Sequence, residues 1–185
     1  DEALRERFYE KVRNPATSGN KHHYRQWALE VPGVGDAKVF PLDSGDGTLT
    51  VLIVDVDKAR NPSLEPAVRD YIETVRPIGA TVTVSSPTMR SVNVSANVIL
   101  DGTKTLDDVL AMFKSQFTEY LKSLVFVEYR VSYAKIGSLL LNIEGVQDYD
   151  DLRLNNSTGN IIVGEKEIPA MGTVSLEEVH TIAAD

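Results

Sequence analysis

The sequence predicts an α+β protein of two small subdomains, each with helices packed on a short, mainly antiparallel sheet, preceded by an N-terminal connector helix. Apolar positions recur at helical spacing in several stretches and at every second residue in others, which separates helices from half-buried strands. Gly- and Pro-containing turns punctuate these runs. A helix–turn–strand pattern around Tyr24 also recurs around Ile136. The expected divisions are a connector helix over 1–17, a first subdomain over 18–87 and a second over 88–185, with the boundary at Ser86-Pro87.

Leu4, Phe8 and Val12 lie four residues apart and form a narrow apolar stripe, while Arg5, Arg7, Lys11 and Arg13 interleave with Glu2, Glu6 and Glu10 on a solvated face. So narrow a stripe calls for a partner, which makes Leu4, Phe8 and Val12 candidate interface residues. The helix is expected to stop at Asn14-Pro15, because a residue before proline is pushed out of the helical region.

In the first subdomain, Tyr24, Trp27, Ala28 and Val31 mark a helix that Pro32-Gly33 stops. Val34 to Leu42 and Thr48 to Val54 read as the two strands of a hairpin around Ser44-Gly45-Asp46-Gly47. Ser63 is the expected N-cap of a helix whose face carries Leu64, Val68, Tyr71, Ile72 and Val75, with Pro66 tolerated in the first turn. Pro77 and Gly79 close that helix, and Ala80 to Ser85 alternates as a further strand.

In the second subdomain, Val92, Val94, Ala96 and Val98 alternate with polar residues, predicting a strand with one buried face. Thr105 and Asp108 have the spacing of a capping box ahead of a long helix through Leu106, Val109, Leu110, Phe113, Phe117 and Leu121. Ile136, Leu139, Leu140 and Ile143 repeat the Tyr24–Val31 spacing, and IEGVQD from Ile143 parallels VPGVGD from Val31. Both are followed by a strand, a Gly-containing turn and an apolar strand, so a shared α-β-β core is expected. Gly172 to Asp185 is expected to add an edge strand.

Composition narrows the chemistry. The 185-residue chain is 42% hydrophobic, enough for a sizeable core, and its formal charge of −8 argues against a nucleic-acid partner, which requires clustered Lys and Arg. It contains no cysteine, which removes disulfides, thiolate metal sites and cysteine nucleophiles. No apolar run approaches the roughly 20 residues that span a bilayer, and DEALRERFYEK is too charged to read as a signal peptide, so a cytoplasmic chain without membrane insertion is expected.

The candidate sites reduce to structural readings. Gly33-Val34-Gly35 follows a helix and precedes a strand, the reverse of a nucleotide-binding fingerprint. Asp55 and Asp57 share a strand face without a further ligand cluster nearby in sequence, and Asp148, Asp150 and Asp151 lack the glycine and terminal glutamate of a calcium loop. His22 and His23 are adjacent and diverge on a helix, and His180 stands apart. The common hydrolase, nucleotidase and metalloprotease signatures are absent. The expectation is no catalytic, cofactor or metal site and no small-molecule substrate. Trp27 reads as a core anchor, and Arg25, off the helix stripe, is placed to reach Asp36 or a partner surface.

The run from Arg13 to Pro41, RNPATSGNKHHYRQWALEVPGVGDAKVFP, resembles the J-type baseplate proteins of contractile phage tails and prophage tail-like particles. The likeness continues through GTLTVLIVD at Gly47–Asp55 and VRPIGATVTV at Val75–Val84, and more loosely through SVNVSANV and IEGV. It marks Tyr24, Trp27, Pro32, Gly33, Gly35, Pro77 and Gly79 as structural motif positions. It implies a C-terminal fragment of a longer wedge protein with no catalytic residues, acting through protein–protein interfaces in a virion tail baseplate assembled in the bacterial host cytoplasm. The implied partners are other baseplate and tail proteins and further copies of itself. The alternative is a non-tail α+β binding module without catalytic activity.

Overall fold

The structure is a computed structural model that describes residues 19–180. The expected connector helix with Leu4, Phe8 and Val12, and the last five residues, lie outside the described residues. The chain divides into two compact units, Asp1–Thr88 and Met89–Asp185.

In the first unit, α1 (Lys21–Glu30) starts at Asn20, whose side chain accepts the His23 N–H at 2.9 Å and satisfies one orphan donor of the first turn. The helix ends at Val31, in extended conformation, and Gly33 turns the chain at φ 94°, a conformation that disfavours any residue with a Cβ. Strand β1 (Val34–Pro41) pairs antiparallel with β2 (Thr48–Asp55), placing Val39 opposite Val51. A 3-10 turn (Pro62–Leu64) and α2 (Glu65–Val75) then carry the chain to β3 (Thr81–Ser85), which pairs parallel to β2. A helix is the ordinary way to make such a parallel crossover. The sheet order is β1-β2-β3. Its central strand is buried from Thr50 to Val54, as expected of a strand read as a near-continuous apolar run.

The expected cap at Ser63 is displaced. Asn61 accepts the Ser63 N–H at the 3-10 turn, and α2 begins after Leu64 without a side-chain cap. The 3-10 turn moves the polar cap two residues upstream because its own first donor needs satisfying. Tyr24, Trp27 and Ala28 from α1 and Val68 and Ile72 from α2 join Val51 and Ile53 in one buried cluster.

In the second unit, β4 (Thr88–Leu100) is the central strand of a sheet ordered β6-β4-β8. The capping box forms as expected: the Asp108 N–H donates to Thr105 Oγ1, while the Asp108 carboxylate accepts from the Thr105 backbone, opening α3 (Leu106–Leu124). The chain continues through β5 (Arg130–Val131), α4 (Tyr133–Leu141), β6 (Val146–Leu154), β7 (Ile161–Ile162) and β8 (Glu167–Glu178). β6 runs antiparallel to β4. On the other side, the Thr173 N–H meets the Asn93 side chain and the Val179 N–H meets the Val98 carbonyl, so β8 and β4 advance together.

The repeated motif is real over a helix, a turn and one strand. The Val34 N–H donates to the Val31 carbonyl at 3.2 Å, the Val146 N–H to the Ile143 carbonyl at 3.1 Å, and Gly33 and Gly145 have φ of 94° and 96°. Beyond that, the expected shared α-β-β core is corrected: β1 pairs with the strand that follows it, whereas β6 pairs with β4 and β7 pairs with β5. Two residues of β7 are too few to form the long hairpin seen in the first unit.

The second core is built on α3, whose Val109, Phe113, Phe117 and Leu121 fall four apart on one face and are buried. Phe113 and Phe117 stack with ring centroids 5.6 Å apart. Phe113→Ala removes a fully buried ring and leaves a void in the second core, so it should cost about 3–5 kcal/mol. Urea unfolding followed by a signal from the second unit reads this as a lower midpoint with an unchanged slope.

Candidate functional site

The motif around α1 is a packing device. Tyr24 and Trp27 meet edge to face, with centroids 5.0 Å apart and planes at 86°. His23 lies against the same indole at 3.9 Å, and its Nδ1 accepts the Gly19 N–H at 3.4 Å. The ring thus closes the helix entrance. Trp27 is 7% exposed, in keeping with a core anchor. Gly35 sits where β1 crosses the end of β2, and a Cβ there would collide with the Asp55 carbonyl. Pro32 is exposed at the turn before β1, and Pro77 and Gly79 form the turn between α2 and β3.

Arg25 is engaged within the first unit. Its Nη2 lies 2.9 Å from Asp36 Oδ1 and its Nε donates to the Ala37 carbonyl at 3.1 Å. Lys58, which the sequence does not single out, completes the cluster: its Nζ is 2.7 Å from Asp36 Oδ2 and donates to the Gly35 carbonyl at 3.3 Å. Asp36 Oδ1 also accepts the Ala37 N–H at 2.8 Å. One carboxylate therefore holds two cations that in turn occupy main-chain carbonyls along β1.

The electrostatics of Asp36 follow from that geometry. Burial pushes its carboxyl up, but the Lys58 hydrogen bond, the charges of Arg25 and Lys58 and the Arg25 hydrogen bond together outweigh burial and hold it below its ordinary value.

The remaining carboxylates act locally. Asp55 Oδ1 accepts the N–H groups of Asp57 at 3.0 Å and Ala59 at 2.9 Å, which shapes the turn after β2. Asp148 and Asp150 accept the N–H of the residue that follows each, at 2.8 and 2.6 Å, and Asp151 pairs with Arg153 at 2.7 Å. Among the described residues, no group of three or more His, Cys, Asp or Glu is arranged to hold a metal ion, and no helix is long and apolar enough to cross a membrane.

Because the folded Asp36 carboxyl titrates below the unfolded value of about 3.9, its contribution to stability is present above that value and is lost as pH falls through the folded one. Asp36→Asn should therefore flatten the acid limb of the first unit's stability between about pH 4 and the folded pKa, and lower stability at neutral pH. Chemical denaturation of both proteins across that range measures it.

The family model for the Baseplate J-like central domain matches residues 16–86, and that for the Baseplate J-like C-terminal domain matches residues 92–177. Phage-like element PBSX protein XkdT of Bacillus subtilis strain 168 is 34% identical over 186 residues, covering 96% of this chain and 53% of that protein. YqbT from the same strain is 36% identical over 192 residues, with the same coverage of 96% and 53%. Baseplate protein gp47 of Escherichia phage Mu is 29% identical over 186 residues, covering 92% and 49%. A chain of the anti-feeding prophage baseplate, solved by cryo-EM with 6-fold symmetrisation, shares the fold at a TM-score of 0.68 and 14% identity, over 91% of this chain and 41% of that one. The chain spans about half the length of the relatives it matches. With both of its units matched in order by the central and C-terminal domain models, the chain belongs to the Baseplate J-like family.

Proposed function

We propose that the chain is a structural component of a contractile phage or prophage tail baseplate and acts through protein–protein interfaces in wedge assembly. The observation that carries this reading is the consecutive match of the two Baseplate J-like domain models, one to each unit. The local chemistry is consistent with it: Asp36, Asp55, Asp148 and Asp150 are all engaged in shaping backbone.

In this role the chain works without catalysis, and its partners are other baseplate and tail proteins together with further copies of itself. The Leu4, Phe8 and Val12 stripe is the proposed attachment face of the N-terminal segment. Arg25 contributes by holding the β1 edge in shape. Assembly takes place in the bacterial host cytoplasm, and the finished location is the tail. A baseplate protein must keep its neighbours in place and let their contacts repack when the sheath contracts, which demands rigid units with defined surfaces.

Mass spectrometry of purified tail particles from the encoding bacterium should recover peptides from both units at the abundance of other baseplate proteins. Deleting the gene should leave no particles with complete baseplates. Intact contractile tails that lack the polypeptide would overturn the assignment.

A further inference from the structure

The two edges of the first sheet are treated differently. On β1 the register with β2 turns Ala37, Val39 and Pro41 outward. Asp36 takes the Ala37 N–H, Arg25 takes the Ala37 carbonyl, Lys58 takes the Gly35 carbonyl, and Pro41 has no N–H to offer. Among the described residues Val39 alone keeps both its outward N–H and C=O unmet, and it stands between blocked positions, so an approaching strand finds a single residue to pair with.

On β3 the Thr81 N–H donates to the Gly47 carbonyl at 2.7 Å, which directs the main-chain groups of Thr81, Thr83 and Ser85 toward β2 and those of Val82 and Val84 outward. Among the described residues nothing meets the outward N–H and C=O groups of Val82 and Val84. The ends of this open stretch are closed: Arg76 donates to the Ala80 carbonyl, and the Ser86 N–H donates to Glu65 Oε1 at 2.8 Å. Arg76 also pairs with Glu73 at 2.6 Å through its other terminal nitrogen, so the slot ends in the Nη1 side of a guanidinium shared with Glu73 at one end and in the Glu65 carboxylate at the other.

We propose that this slot pairs with its own counterpart in a second copy of the chain, β3 against β3, antiparallel about Thr83. A twofold axis there sets Val82 opposite Val84 of the second copy, each pair exchanging both main-chain hydrogen bonds. It also sets Ala80 opposite Ser86 of the second copy. Arg76 of each copy is thereby brought to Glu65 of the other, so the charges at the two ends are complementary under the same operation that satisfies the backbone. A parallel approach would instead set Arg76 against Arg76 and Glu65 against Glu65. Thr81 and Thr83 are exposed and present hydroxyls on the polar face of the joined sheet. The interface is independent of the baseplate role, since it is measured on the isolated chain.

Sedimentation of the full 185-residue chain from about 10 µM to about 1 mM should reveal reversible dimerisation. Val84→Pro removes an outward donor without touching a bond to β2 and should weaken the dimer about tenfold or more. Glu65→Arg alone and Arg76→Glu alone each set like charges at both junctions and should be monomeric over the same range. An equimolar mixture of the two restores both opposite-charge pairs and should form a heterodimer, a result that holds even if Val84→Pro disturbs the fold. A chain that stays monomeric at every concentration overturns the proposal. So does a dimer indifferent to Val84→Pro and the charge reversals, or a mixture that does not associate.

Discussion

A three-stranded sheet is too small to stand alone, and the structure of each unit follows from covering one. In the first unit the covering helices have 10 and 11 residues, below the roughly 12–15 at which an isolated helix becomes marginally stable in water. They persist because Tyr24, Trp27, Ala28, Val68 and Ile72 bury their stripe against Val51 and Ile53. The dependence runs both ways, since those strand residues lose their apolar contacts without the helices. In the second unit the 19-residue α3 carries most of this burden, and the shorter α4 adds Ile136 and Leu140 to the same core.

Most of this architecture was legible in the sequence, and the exceptions share a cause. The period-two run from Val92 to Val98, the four-residue spacing from Val109 to Leu121, the Thr105–Asp108 box and the turns at Gly33 and Gly145 are local signals, and each formed as read. The family, too, was legible, because the Arg13–Pro41 run combines a rare tryptophan with a fixed helix-to-strand turn. What was not legible depends on residues far apart. The parallel pairing of β2 with β3 is a property of the crossover; the apolar strand expected after the Gly159 turn forms as β7, but β5, the two-residue partner it pairs with, carries no signal of its own. Lys58 is paired with an aspartate 22 positions earlier, a separation that carries no periodic mark. The Asn61 cap was missed for a local reason: an extra 3-10 turn between Pro62 and Leu64 displaced the start of the helix. Of the candidate interface residues, Arg25 was read as facing either Asp36 or a partner, and it is found on Asp36; Leu4, Phe8 and Val12 lie outside the described residues.

Small sheets leave edges as well as faces, and this chain closes edges with aspartate. Asp36 folds onto the N–H of Ala37, Asp148 onto that of Tyr149 and Asp150 onto that of Asp151. A carboxylate one residue upstream satisfies a main-chain donor without recruiting another strand, and its charge repels the carbonyls of any strand that approaches. The same residue type makes up about half of the 27 acidic side chains behind the formal charge of −8. The acidic composition is thus partly a record of where backbone pairing is blocked.

In the proposed role, which works by association, blocked edges matter as much as open ones. A sheet with every edge exposed has no preferred neighbour and tends toward open-ended addition; a sheet with every edge closed associates only through side chains. The first unit lies between these limits, because Asp36, Arg25, Lys58 and Pro41 close β1 while Val82 and Val84 stay available on β3. Limiting the opening to two residues keeps any strand pairing short and fixes its register through the capped groups on either side. Specificity then comes from the ends of the slot, where Arg76 and Glu65 differ in sign, and not from the backbone groups between them, which any extended chain could meet.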